Sequence, residues 1–182
     1  MGARDDTHPG LRGGVLAWTR VGRHCPHWLV RHWLALANGI ILLLLAGAAL
    51  TPALMALGFT ELATPMFGSY HLVCQQLPGH SFFLFGHQMA LCQRDLATYA
   101  SMGLTGVVFG MSGRRWRPLP WRWYLLLLLP IALDGLTQLV GLRESNWELR
   151  MLTGGLFGAA TVGLAYPYLE RSAQNFLDGE TG

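Results

Sequence analysis

The chain has 182 residues, of which 52% are hydrophobic and only 13% are charged. A soluble domain usually carries about 25% charged residues, so this composition points to lipid as the main solvent. All 13 basic residues are arginine, which excludes lysine chemistry such as a Schiff base or a P-loop. The three cysteines, Cys25, Cys74 and Cys92, are too few for a disulfide scaffold.

The first 32 residues are basic and contain no long apolar run. Tryptophans alternate with arginines in the second half of this segment, which is typical of a segment that lies on a membrane surface. We therefore expect residues 1–32 to form a cytoplasmic, basic interfacial segment.

Four apolar stretches follow, within a predicted membrane domain at 33–171. A bilayer core of ~30 Å takes about 20 helical residues. The predicted spans are 33–57, 96–111, 123–142 and 151–169. The predicted fold is an all-α polytopic membrane protein with four transmembrane helices, followed by a polar cytoplasmic tail at 172–182.

The arginines predict the orientation of these spans. They are concentrated before the first span, between the second and third, and after the fourth. Cytoplasmic loops carry such an excess, so a multi-pass protein of the cell membrane with both termini in the cytoplasm is expected. Residues 58–94 and 143–150 would then face outward.

Small residues recur at helical spacing on two of the predicted spans. In lipid, such residues let helices approach closely. They are Gly103, Gly106 and Gly110 on the second span, and Gly154 and Gly158 on the fourth. We expect these faces to pack against neighbouring helices.

The loop at 58–94 is too long and too rich in cysteine and histidine to be a simple connection. Pro78-Gly79 indicates a turn. A helix or half-helix is expected to start near Ser81 and to continue into the second span. It would carry Gln88, Cys92 and Asp95 on one face.

Asp134 and Gln138 lie four residues apart on the third span. An ionised group within a bilayer is costly and usually faces a partner or a cavity. Arg150 or Arg143 is the expected partner of Asp134. The carboxylate is either half of a structural ion pair or part of a binding or catalytic site.

Several short motifs resemble those of the DUF2085 family of predicted membrane proteins. The first half of the resemblance consists of Cys74-x-Gln76-x-Pro78, Ser81, Gly86-x-Gln88, Cys92-x-Arg94 and Tyr99. The second half consists of Asp134-Gly135-x-x-Gln138, Gly141-x-Arg143-x-Ser145-Asn146 and Arg150-x-x-Thr153-Gly154. The family often has His, Arg and Cys where this chain has Gln75, His80 and Asp95. The resemblance implies a membrane fold and a site, and no activity.

Three interpretations of Cys74 and Cys92 remain open. In the first, the two cysteines form a disulfide, which an oxidising compartment favours. In the second, they bind a metal ion, with ligands drawn from His71, Cys74, His87, Cys92 and Asp95. In the third, they act as a reversible dithiol beside a quinone, although such proteins use a C-x-x-C pair, which this chain lacks.

The predicted function is an outward-facing polar pocket that binds a small anion, a lipid headgroup or a metal ion. The predicted ligand-binding residues are Gln76, Gln88, Arg94, Gln138, Arg143, Asn146 and Arg150. The candidates for acid–base catalysis are Asp134, Asp95 and His87. The alternative is a non-catalytic accessory subunit of a membrane redox or transport complex. The expected partners are membrane lipid and either another membrane protein or a second copy of the chain, but no nucleic acid.

Overall fold

A computed structural model describes residues 27–179. The predicted interfacial segment at 1–32 and the tail at 172–182 therefore lie partly outside the described residues. The helices are α1 (His27–Ala56), α2 (Thr60–Ser69), α3 (Gln93–Met111), α4 (Trp121–Leu139) and α5 (Trp147–Gly179). The strands are β1 (Ser81–Leu84) and β2 (His87–Cys92), and single 3-10 turns cover Tyr70–Leu72 and Pro78–His80.

Each of the four predicted apolar segments coincides with a helix, α1, α3, α4 or α5. Among residues 27–179, only α1 is long and apolar enough to cross a membrane by composition alone. Polar residues needed at the helix contacts, such as Arg94 on α3 and Arg150 on α5, dilute the apolar character of the other helices. The helical segments are thus confirmed, whereas the four-span arrangement stays a prediction.

The contact between α3 and α5 depends on small residues, as predicted. A Cβ atom added to Gly154 would collide with the backbone carbonyl oxygen of Arg94, and one added to Gly158 would collide with that of Thr98. Gly106 faces α1 instead, where the side chain of Asn38 occupies the space. The two glycine faces therefore pack on different neighbours, one on α3 and the other on α1.

Apolar clusters close the two ends of the helical bundle. At the end where α1 begins, Leu34, Phe109, Val162 and Tyr166 are buried together. At the end where α3 and α5 begin, which we call the pocket end, the buried cluster consists of Ala48, Tyr70, Cys74, Ala90 and Leu91. This second cluster attaches the loop at 58–94 to α1.

The helix expected from Ser81 onward is wrong, because β1 and β2 form an antiparallel hairpin there. Phe85 and Gly86 make the two-residue turn with φ angles of 54° and 81°. Positive φ at both positions matches the twist of a hairpin and cannot continue a helix. The fold is therefore mostly helical with a small sheet, not all-α. Helix α3 begins only at Gln93, so Gln88 lies on β2 and not on the helix that carries Asp95.

Candidate functional site

Gln76 joins the cysteine loop to the hairpin. Its backbone has a φ of 53°, in the left-handed region that only a few residue types adopt readily. The side-chain Nε2 donates to the carbonyl oxygens of Phe67 and Ala90, each at 2.9 Å. Gln88 Nε2 in turn donates to the Gln76 carbonyl oxygen at 2.7 Å. Both glutamines were predicted as ligand-binding residues, and the structure shows that their amide N–H groups hold the loop together.

The side-chain oxygen of Gln76, Oε1, remains available to accept a hydrogen bond. Among the described residues no hydrogen-bond donor reaches its buried Oε1. Because Nε2 already donates to two carbonyl oxygens, the amide cannot be rotated to exchange the two atoms without losing both bonds. Gln76 therefore presents an acceptor, and not a donor, at this point.

Cys74, Cys92 and Asp95 come together at the head of α3. One ligand atom from each, two sulfurs and a carboxylate oxygen, lies within 4.8 Å of the other two. The backbone N–H of Cys92 donates to Cys74 Sγ at 3.2 Å, and that of Gln76 donates at 3.4 Å. The Cys92 thiol donates to Asp95 Oδ2 at 3.1 Å.

Both cysteines are free thiols, so the predicted disulfide is absent from this structure. Two N–H donors point at Cys74 Sγ, while the Cys92 thiol points at a carboxylate. Such surroundings favour loss of the proton from Cys74 over loss of the proton from Cys92.

The pKa values of Cys74 and Cys92 shift in the directions that these hydrogen bonds lead us to expect. Hydrogen bonding by the Cys92 side chain, assisted by two backbone N–H groups, holds the pKa of Cys74 below its ordinary value despite burial. The bond to Cys74, together with burial, raises the pKa of Cys92. Of the two thiols, Cys74 therefore loses its proton more readily than Cys92 does.

A cavity of about 470 Å³ opens beside the thiols. Besides Cys74, Cys92 and Asp95, its wall includes His71, Gln76, His80, Arg94 and Arg150. His87 is the first residue of β2 and lies outside the three-residue cluster. Of the predicted metal ligands, the structure thus brings together Cys74, Cys92 and Asp95, with His71 on the same cavity wall.

Asp134 is buried between two arginines at the pocket end. Its Oδ2 accepts from Arg94 and from Gln138 Nε2, and its Oδ1 accepts from Arg143 Nη2 at 3.1 Å. The expected partner Arg143 is confirmed, and Arg94 is the additional one. The expected pairing with Arg150 is wrong, since that guanidinium turns to α3 and the loop. With its oxygens bonded in this way, Asp134 has the surroundings of a structural group more than of an acid–base catalyst.

Arg150 binds neutral groups instead. Its Nη1 donates to Gln93 Oε1 at 3.1 Å and to the Gly79 carbonyl oxygen at 3.3 Å. Burial, followed by the positive charges of Arg150 and Arg94, lowers the pKa of His80 on the cavity wall. Gln93 and His80 were missed at the sequence level, because neither stands out until the hairpin brings the loop over α5.

Asn146 does not line the thiol cavity. Its Oδ1 accepts from the backbone N–H of Leu149 at 3.0 Å, which caps the first turn of α5. Asn146 thus has a structural role at the start of α5, and its ligand role stays a prediction.

Comparison with known proteins identifies the family of the chain. The family model described as "Predicted membrane protein (DUF2085)" matches residues 74–164. The chain belongs to the DUF2085 family. The match includes the thiol cluster, the Asp134 cluster and Arg150, whereas His71 of the cavity wall precedes it.

Two archaeal relatives cover about half of the chain. Uncharacterized protein MJ1492 of Methanocaldococcus jannaschii is 43% identical over 104 residues, which are 53% of this chain and 64% of the relative. An uncharacterized protein of Methanothermobacter thermautotrophicus is 31% identical over 85 residues, 47% of this chain and 77% of the relative. The chain thus spans just under two thirds of the first relative's length. No solved structure matches.

Proposed function

We propose that this DUF2085 protein is a multi-pass membrane protein that binds a soft divalent metal ion in its pocket. Cys74, Cys92 and Asp95 would be the ligands. The observation that carries the proposal is the convergence of two thiol sulfurs and a carboxylate oxygen within 4.8 Å on a cavity wall. In the sequence, Cys74 precedes the hairpin and Cys92 is its last residue, so the fold is what brings the two thiols together.

Exposed apolar residues support the membrane part of the proposal. Leu43 on α1, Leu104 on α3, Leu133 on α4 and Leu152 on α5 are each at least 60% exposed. A soluble protein rarely leaves such residues uncovered along every long helix, whereas lipid covers them without cost. Helices α3 and α4 have 19 residues each, or about 28 Å at the α-helical rise, close to the bilayer core of ~30 Å.

The proposed topology places the pocket end outside and both termini in the cytoplasm. We expect an impermeant thiol reagent to label the pocket cysteines of intact cells after reduction and metal chelation, and not Cys25. The Cys25→Ser variant should keep this labelling and the Cys74→Ser/Cys92→Ser variant should lose it. If the labelling depends on Cys25 instead, the orientation of the chain in the membrane is the opposite of the one proposed.

The donor set selects the type of metal. Thiolates prefer soft ions such as zinc, whereas a hard ion such as magnesium prefers oxygen ligands only. Three protein ligands leave a tetrahedral ion with one open position, the arrangement of catalytic and ligand-binding zinc sites. His71 lies on the same cavity wall but outside the three-residue cluster, so the open position would be left for a ligand that enters from the cavity.

Each residue would then have a separate role. Cys74 and Cys92 would supply thiolate ligands, and Asp95 would supply the carboxylate. The N–H groups of Gln76 and Cys92, which already donate to Cys74 Sγ, would orient that sulfur, as outer hydrogen bonds do around metal ligands. A metal bound here would polarise a ligand or water at its open position.

Metal content tests the proposal directly. The purified full-length protein should bind about one zinc or cobalt ion per chain, and the cobalt form should show thiolate-to-metal charge-transfer absorption. We expect Cys74→Ser and Asp95→Asn to lose ten- to a hundredfold or more in metal affinity. Elemental analysis and cobalt titration measure this, with Cys25→Ser as the matched cysteine control.

Two results would contradict the metal site. In one, the folded wild type takes up neither ion. In the other, Cys74→Ser and Asp95→Asn bind metal as tightly as Cys25→Ser does. A wild type that lacks metal but purifies with a stoichiometric membrane-protein partner would favour the accessory-subunit alternative.

A further inference from the structure

Arg150 carries a charge that its known contacts do not balance. The residue is only 5% exposed. Both acceptors of its Nη1, Gln93 Oε1 and the Gly79 carbonyl oxygen, are neutral. Among residues 27–179 no acceptor reaches its buried Nε, and Asp134, the carboxylate that the sequence suggested, binds Arg94 and Arg143 instead.

A buried guanidinium without a counter-ion is costly, because its neutral partners compensate only part of the lost hydration. Arg150 nevertheless lies on the wall of the same cavity as Cys74, Cys92 and Asp95. Glu144, the nearby acidic residue of the loop, is exposed and lines a second groove together with His80 and Arg150. No ion pair joins Arg150 to Glu144 or to any other carboxylate of residues 27–179, so the cavity that Arg150 also lines offers a place for the missing negative charge.

A bound metal would change the charge around the cavity but not the hydrogen bonds of Arg150. A divalent ion held by two thiolates and the Asp95 carboxylate would carry one net negative charge, and this charge would act on Arg150 through space. The Nε of Arg150 would still lack an acceptor among residues 27–179, so a hydrogen-bonding anion is still required.

Gln76 adds a second, independent requirement. Gln76 lines the cavity, and its buried Oε1 has no donor in the described part of the chain. A ligand that satisfies both residues must offer a negative oxygen to Arg150 and a hydroxyl to Gln76. A carboxylate offers only the first, whereas a singly protonated phosphate offers both.

We propose that Arg150 and Gln76 form an anion subsite of the cavity that binds a phosphate-type oxyanion, with Arg150 contacting its charged oxygens and Gln76 accepting from its hydroxyl. This inference rests on the proposed function, since the subsite and the metal ligands share one cavity. A guanidinium matches the spacing of two phosphate oxygens and binds them with two parallel hydrogen bonds. The anion comes from free phosphate or from the headgroup of a phosphate-monoester lipid, which share this chemistry.

The subsite is tested by titrating phosphate into the metal-loaded, detergent-purified full chain and measuring the binding by phosphorus NMR. We expect saturable binding in the wild type and at least about tenfold weaker binding in Arg150→Gln, because hydrogen bonds to a charged group are lost. Arg150→Lys should fall between the two, since it keeps the charge without the planar fork. Arg122→Gln, which removes the same charge from an exposed site at the opposite end of the bundle, should bind as the wild type does.

A second pair of variants avoids the buried arginine, whose loss could impair folding. Leu77 is 46% exposed on the cavity wall, so Leu77→Glu and Leu77→Gln should both fold. Leu77→Glu should weaken phosphate binding several-fold by repulsion, whereas the neutral Leu77→Gln should not. Equal binding by these two variants, or by the metal-loaded Arg150→Gln and the wild type, would overturn the proposal.

Lipid vesicles separate the two sources of the anion. The wild type is reconstituted in phosphatidylcholine with or without phosphatidic acid, and native mass spectrometry then records what the protein retains. Retention of phosphatidic acid that is lost in Arg150→Gln identifies a headgroup, and free-phosphate binding alone identifies a soluble ligand. If the protein loads metal but binds neither probe, the anion subsite fails by itself. If it loads no metal, the proposed function fails first.

Discussion

Asp134→Ala should destabilise the pocket end more than any other single substitution of a charged residue. The carboxylate is buried and bonds Arg94, Arg143 and Gln138 at once. Its removal leaves Arg94, whose side chain is only 24% exposed, without its ion-pair partner. Breaking one partner of a buried pair typically costs about 3–5 kcal/mol, and the partial exposure of Arg94 places this case near the lower value.

A double-mutant cycle with Arg94→Met measures the coupling. Because the double variant removes both charges, it should recover a large part of the stability that Asp134→Ala loses. Arg143→Met should cost about 1 kcal/mol or less, since that side chain is 52% exposed and solvent screens the pair. Denaturation of the purified protein in a graded detergent mixture provides the free energies of unfolding. Additive effects of Asp134→Ala and Arg94→Met would show that this ion pair does not stabilise the fold.

The helices could be predicted because their signal is local. Apolar runs identified α1, α3, α4 and α5, and the glycine spacing on the fourth predicted span identified the face that meets α3. These patterns depend on residues three or four positions apart, which share a helix face in any helix. Cys74, Cys92 and Asp95 were also among the predicted metal ligands, together with His71 and His87, because cysteine, histidine and carboxylate are concentrated in this part of the sequence.

The hairpin and the arginine partners could not be predicted in the same way. Phe85-Gly86 is not one of the usual hairpin dipeptides, so nothing in the sequence marked the turn between β1 and β2. Asp134 could reach Arg143 or Arg150 by distance along the chain. The choice depends on how far α5 is rotated against α3, and tertiary packing sets that rotation. Arg94 was predicted to bind the ligand, because the sequence alone does not show that it pairs with Asp134.

Two adjacent glycines of α5, Gly154 and Gly155, have opposite surroundings. A Cβ atom on Gly154 would collide with the Arg94 carbonyl oxygen and lie 3.0 Å from Thr98 Oγ1, whereas one on Gly155 would meet nothing within 4 Å. Thr98 Oγ1 also donates to both the Arg94 and Gly154 carbonyl oxygens, at 2.9 and 3.2 Å. The contact is therefore backbone against backbone, which cannot adjust as a flexible side chain can.

Gly154→Ala should lower the free energy of unfolding by about 1–3 kcal/mol, the usual range for overpacking. Gly155→Ala should raise it by about 0.5–1 kcal/mol, because alanine restricts the unfolded chain and favours the helix. Gly154→Ala should also weaken metal binding, since any shift of Arg94 moves the adjacent Asp95. Detergent unfolding and cobalt titration of the two variants measure both effects. Equal stability of the two alanine variants would mean that α3 and α5 can separate freely at this point, and the position of Asp95 would then have to be set by the hairpin alone.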